Sequence, residues 1–165
     1  MRNIDLENIV LLKGSHKPDS QYCVMELAAY IAEEKWTDHP KSVSPVISVV
    51  LRAWNDSLDD ETRQKLKPYA VKSLNTVGTK KQETKRAWMA TDWLVRECAP
   101  AFLRIARLTE HAEILEALTA LTGIRQARDA QPKIAAARAA ARDAARDAAR
   151  DAAWAAAWDA AWAAA

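Results

Sequence analysis

Glycine is scarce in this chain, with three residues in 165, and that excludes the Gly-rich phosphate loops of the Rossmann and P-loop kinds. The same scarcity argues against a turn-dense all-β fold. Two cysteines, Cys23 and Cys98, are too few for a disulfide framework or a cysteine-rich zinc site. Both lie in apolar helical stretches, where a free cysteine is usually a small buried hydrophobe. Excess charge is missing too: 24 basic side chains against 22 acidic ones argue against a protein that coats nucleic acid or a polybasic membrane binder. No long charge-free apolar run is present, so no membrane span is expected. The start, Met1-Arg2-Asn3-Ile4-Asp5, has no signal-peptide layout. The expectation is a reduced, cytoplasmic protein.

Half of the residues are apolar and 28% are charged, the balance of a globular domain. At Pro132 the composition changes abruptly. From Lys133 to Ala165, 20 of 33 residues are alanine, stepping every four residues through Arg138, Arg142, Arg146 and Arg150 to Trp154, Trp158 and Trp162. Alanine is the strongest helix former, and Asp143 and Asp147 lie three residues before Arg146 and Arg150, a favourable ion-pair spacing. With Pro132 in its first turn the tail reads as one helix of roughly 50 Å, at about 1.5 Å per residue. A four-residue step advances about 40° around the helix, so the tryptophans form an oblique apolar ridge. A ridge of that kind packs on its own domain or on another copy, which makes Trp154, Trp158 and Trp162 the expected oligomer interface. A purely structural, low-complexity extension is the plainer alternative.

Ahead of the tail the chain reads as successive helices, and the domain division expected is 1–131 for a helical domain and 132–165 for the repeat helix. Asp19-Ser20 reads as the cap of a helix over about 21–35. Ser44-Pro45 opens another to about Asn55. Short helices follow to Lys67 and from Pro68 to Gly78. Thr79 opens the helix carrying Trp88 and Trp93, which Pro100 ends or kinks. Thr109 with Glu110 opens a helix up to Gly123. Only Ile9–Leu12 has a trace of strand character. The fold class is all-α, a compact multi-helix domain followed by a long Ala-rich C-terminal helix.

Single charges inside apolar segments are the informative positions: Glu26 within 22–32, Arg52 within 45–54, and Asp92 within 87–95 with Arg96 one turn on. A buried ion without a partner is very costly, so these groups must meet each other or a ligand. Two readings stand side by side. Buried Glu26–Arg52 or Asp92–Arg96 pairs would fix helix register, or the four would converge on the floor of a polar pocket. His16 and His39 lie in loops that flank the Glu26 helix and could form the rim. These histidines with Glu26 and Asp38 have the chemistry of metal ligands, but their spacing matches no short zinc signature, so neither metal nor cofactor is expected. Cys23 with His16 or His39 is a weaker nucleophile–base pairing.

From Arg63 to Arg86 eight basic residues stand against Glu83, around Gly78-Thr79-Lys80-Lys81 at a helix start. Backbone N–H groups there, with Lys80 and Arg86, can hold a phosphate, although a solvated lysine face is the ordinary outcome. Trp54, Trp88 and Trp93 can stack on a base, or belong to the core.

Several of these residues occur in ordered strings: Lys13-Gly14-Ser15-His16, Cys23-Val24-Met25-Glu26, Trp36 with Asp38-His39-Pro40, Ser44-Pro45-Val46, Leu51-Arg52, Trp54-Asn55-Asp56, Gly78-Thr79, and Arg86-Ala87-Trp88-Met89-Ala90 with Asp92-Trp93-Leu94. In them the chain resembles a family of small uncharacterised actinobacterial and actinobacteriophage proteins, over about residues 10–110. The resemblance implies an accessory protein that binds something of the host: a protein, a nucleotide signal or DNA.

The expected function is therefore a non-catalytic, homo-oligomeric module for a small anionic, nucleotide-like ligand, held by His16, Glu26, His39, Arg52, Trp54, Lys80, Arg86, Asp92 and Arg96. In a phage setting it would sequester a host defence signal. The alternatives are a hydrolase or transferase using the same pocket, with Glu26, His16 or His39 as base, and a module that contacts a host protein through the Ala/Trp helix. Nucleic acid ranks last among the partners.

Overall fold

A computed structural model describes residues 4–18 and 21–163, with side chains of the last helix described as far as Ala157. Helices are the regular structure among the described residues, with no strand beyond one isolated parallel bridge between Leu11 and Tyr22. The chain divides into two compact units, Met1–Ala87 and Trp88–Ala165.

In the first unit, α1 (Val24–Ile31) carries Glu26 as its one charge and is buried along nearly all of its length, as a central helix must be. Its expected cap at Asp19-Ser20 lies outside the described residues. The cap that forms is Cys23, in a reciprocal box with Glu26. The helix closes at Ala32, and Glu33 takes a left-handed φ of 61° that lets Glu34 N reach back to Ala29 O at 3.0 Å. Then α2 (Pro45–Ser57) starts as its sequence predicts, with Ser44 as N-cap and proline in the first turn. Ser48, Leu51 and Asn55 form its buried face. The next short pieces are α3 (Asp60–Arg63), a 3-10 turn (Gln64–Leu66) and α4 (Lys67–Lys72).

The core gathers Leu11, Val24, Leu27, Ile31, Leu51, Leu66 and Ala70. Around it polar side chains take the place of a sheet. The Gln64 amide accepts from Leu11 N and donates to Leu11 O, both at 2.9 Å, so a side chain pairs the extended segment at 9–12 as a neighbouring strand would. Fully buried Asn55 accepts from Val24 N and donates to Leu12 O. Buried Arg63 donates to Asn55 O at 2.6 Å, Leu58 O at 2.5 Å and Asp60 Oδ1 at 2.5 Å, which satisfies a guanidinium that would otherwise be costly inside.

Helix α5 (Lys80–Trp93) carries the chain from the first unit into the second. Pro100 neither ends the helical run nor breaks it sharply. A π-helical turn (Leu94–Cys98) leads directly into α6 (Ala99–Ile105), and Ala99 N bonds to Leu94 O, five residues back. The wider turn absorbs the proline, which sits in the first turn of α6 where its missing N–H matters least. Arg107, with φ 61°, turns the chain into α7 (Thr109–Glu116), and Leu108 N closes on Leu103 O at 2.8 Å. This helix stops well short of Gly123. The last helix, α8 (Ile124–Ala163), begins before Pro132 and runs through it, so the repeat is not a separate segment opening at 132. Ala130, Ile134, Ala137 and Ala141 pack with Leu103, Leu115 and Leu121 in the second core, and that packing holds the proline inside the helix. From residue 145 to 157 the helix is exposed. No helix among the described residues is long and apolar enough to cross a membrane.

Candidate functional site

The four stranded charges separate into local clusters, each tied within its own unit. Glu26, 1% exposed, accepts from His16 N at 2.6 Å on one carboxylate oxygen, and from Cys23 N at 2.7 Å and His16 Nδ1 at 2.9 Å on the other. It fixes the 13–16 loop against the start of α1. Trp36 continues the tie by donating to His16 O at 2.8 Å, its ring lying 5.3 Å from that of Tyr22. Burial pushes the Cys23 thiol up to about 12, and the nearby Glu26 carboxylate adds to that. A thiol at this value is no thiolate at neutral pH, so Cys23 is unsuited to serve as a nucleophile.

Arg52 belongs to a different group. Its Nη1 lies 3.3 Å from Asp38 Oδ2 and against the His39 ring, and His39 Nδ1 lies 2.6 Å from Asp38 Oδ1. All these contacts form together when the His39 proton sits on Nδ1, leaving Nε2 to accept from the guanidinium. Partial burial pushes the Asp38 carboxyl up, but the contacts from His39 and Arg52 outweigh it and hold it below the ordinary range. Asp92 and Arg96 pair at 3.3 Å in the second unit, and Asp92 Oδ1 also accepts from Leu121 N at 2.7 Å. Neither arginine pairs with Glu26.

The helix start at Gly78-Thr79 is already filled by the chain's own acceptors. Gly78 N donates to Glu83 Oε1 at 2.8 Å and Thr79 N to Gln82 Oε1 at 2.7 Å. Glu83 also meets Ser44 Oγ and Arg86, and Arg86 Nη1 donates to Thr76 O at 2.6 Å. A carboxylate therefore stands where a phosphate was expected, and Arg86 fastens the loop below it. Lys80 is exposed on the first turn of α5, and Trp54 is 40% exposed on α2.

A cavity of about 630 Å³ opens beside the Asp38–His39 group, lined by Glu34, Lys35, Trp36, Thr37, His39 and Lys41 on the loop between α1 and α2. Two lysines stand against one carboxylate in its lining. Glu34, its one acidic lining residue, has both carboxylate oxygens turned onto the loop backbone, accepting from Lys41 N at 2.6 Å and Ser42 N at 2.9 Å. Partial burial pushes Glu34 up, and the Ser42 and Lys41 contacts more than reverse this and lower it. Lys35 and Lys41 line the cavity together with the Trp36 ring and His39. Lys35, Lys41 and the wall at Trp36 were missed in the sequence, because a loop has no periodicity from which to read convergence. The one available signal is the run Lys35-Trp36-Thr37-Asp38-His39-Pro40-Lys41, with a lysine at each end of an aromatic and polar string.

No cluster of metal-binding side chains occurs among the described residues. On the tail helix Trp154 is 64% exposed; the side chains of Trp158 and Trp162 lie outside the described residues. No family model matches the chain, and no curated protein or solved structure matches it.

Proposed function

We propose that the protein is a non-catalytic binding module for a small anionic, nucleotide-like ligand, and that the ligand enters the α1–α2 loop cavity. The observation that carries this reading is a ligand-sized cavity lined by two lysines, Lys35 and Lys41, whose one carboxylate, Glu34, is engaged by the loop backbone at both oxygens. The loop itself is held firmly: Glu26 and Trp36 anchor it at one side, and Asp38, His39 and Arg52 at the other. A pre-organised loop loses little entropy on binding. Of the residues expected from the sequence, His39 contacts the ligand, Arg52 positions His39 and Asp38, and Glu26 and His16 act by holding the loop. In the phage setting that the family resemblance suggests, such a module sequesters a host defence nucleotide without chemistry.

Isothermal titration of the full chain against mononucleotides, cyclic nucleotides, ADP-ribose and inorganic pyrophosphate tests this. Binding that Lys35→Glu plus Lys41→Glu abolishes, with the circular dichroism spectrum unchanged, supports it. Absence of heat across the panel, or binding indifferent to both substitutions, overturns it.

A second reading has its own observation. The exposed stretch 145–157 with Trp154 is the feature a helix-mediated contact needs, whether with a host protein or with another copy.

A further inference from the structure

The second unit carries an apolar groove of about 410 Å³ between the π turn with α6 on one side and α8 on the other. Leu94, Cys98, Phe102 and Ile134 contribute to its wall, and Arg138 is the one charged lining residue. Leu94 is 50% and Phe102 67% exposed, so large apolar surface stands in water along this groove. Leu94 and Cys98 bracket the π turn, and turns of this kind recur at functional sites because they aim side chains that a regular helix would place elsewhere.

Charge singles out one class of occupant. Along α8 the arginines follow one pattern, but their partners do not. Arg146 and Arg150 pair with Asp143 and Asp147 three residues earlier, both at 3.4 Å. The positions three residues before Arg138 and Arg142 are Ala135 and Ala139, so the repeat drops its aspartates at the turns bordering the groove. Arg138 has no ion-pair partner among the described residues, and no acidic side chain lines the groove to repel an anion.

We propose that this groove binds a single-chain anionic amphipath, a long-chain carboxylate whose hydrocarbon lies along Leu94, Phe102 and Ile134 and whose head group is taken by Arg138. Burying the chain removes apolar wall from water, and a carboxylate supplies the bidentate partner that a guanidinium favours. A cationic head of the same chain length meets Arg138 unfavourably. The site is independent of the α1–α2 loop cavity and lies in the other unit.

Cys98 lines the groove and serves as its reporter, because Cys23 is buried with its thiol pushed up to about 12 and stays silent in the native protein. The full chain is alkylated with iodoacetamide, read as mass increase, alone and with submicellar dodecanoate or dodecyltrimethylammonium. The expected result is that dodecanoate slows Cys98 alkylation tenfold or more, while the cationic amphipath slows it far less. Arg138→Gln loses the protection by dodecanoate and Arg138→Glu reverses the preference, each with helical content unchanged. Equal protection by both amphipaths, or none by dodecanoate, overturns the proposal. So does slow alkylation without amphipath that speeds up on dilution, which would place a second copy over the groove.

Discussion

Removing the Glu26 carboxylate gives the sharpest test of how the first unit is held. Two backbone N–H groups, those of His16 and Cys23, and the His16 ring converge on a side chain that is 1% exposed. In Glu26→Ala both amides lose their acceptor inside the protein. An unsatisfied buried donor costs about 1–3 kcal/mol, so the amides alone account for about 2–6 kcal/mol. A water drawn into the vacated space recovers part of this, and about 4 kcal/mol of destabilisation is expected. Glu26→Gln keeps one acceptor oxygen but turns an NH₂ toward a donor, so about 2–3 kcal/mol is expected. Urea unfolding followed by far-UV circular dichroism measures the loss, and hydrogen exchange at the His16 and Cys23 amides localises it. A Glu26→Gln protein within about 0.5 kcal/mol of the original, with both amides still protected, refutes the reasoning. A gain in stability would reassign Glu26 as a strained ligand-contacting group.

Ser44→Ala removes the α2 N-cap and the hydroxyl that meets Glu83; a loss of about 1–2 kcal/mol in urea unfolding is expected, and no loss contradicts the capping assignment. Asp38, Asp56 and Glu34 are all held below their ordinary values of 3.8, 3.8 and 4.5. A lowered folded-state value gives stability that is complete above the ordinary value and is lost as pH falls through the lowered one. The urea midpoint should therefore stay level with respect to these groups from pH 7 to about 5 and decline below about 4.5; a midpoint that rises on acidification contradicts this. At pH 7.5 a thiol reagent should modify Cys98 and leave Cys23 untouched until the protein unfolds, and peptide mapping that finds native modification at Cys23 contradicts its burial.

Where local chemistry decides the structure, the sequence was informative. Ser44-Pro45 opens α2 because an N-cap hydroxyl and a fixed φ act within one turn. The apolar run around Glu26 reads directly as a central helix that needs partners for its charge. Which partners it finds was not legible, because the capping box uses Cys23, a residue type that seldom caps, and a backbone amide from a loop ten residues away. Pro100 and Pro132 read as helix boundaries, yet a π turn accommodates one and packing of Ala130, Ile134 and Ala137 holds the other, both tertiary overrides of a local preference. The candidate cavity was legible only at His39. Lys35 and Lys41 line one cavity because the loop closes on Glu34, and that closure leaves no pattern in the residue order.

The most direct test of the anion-binding account is native mass spectrometry of the gently purified full chain. The predicted result is a phosphate-bearing excess mass of a few hundred daltons that is lost on denaturation and absent from the Lys35→Glu, Lys41→Glu protein. A bare chain, or a phosphate-bearing mass retained equally by that variant, contradicts it.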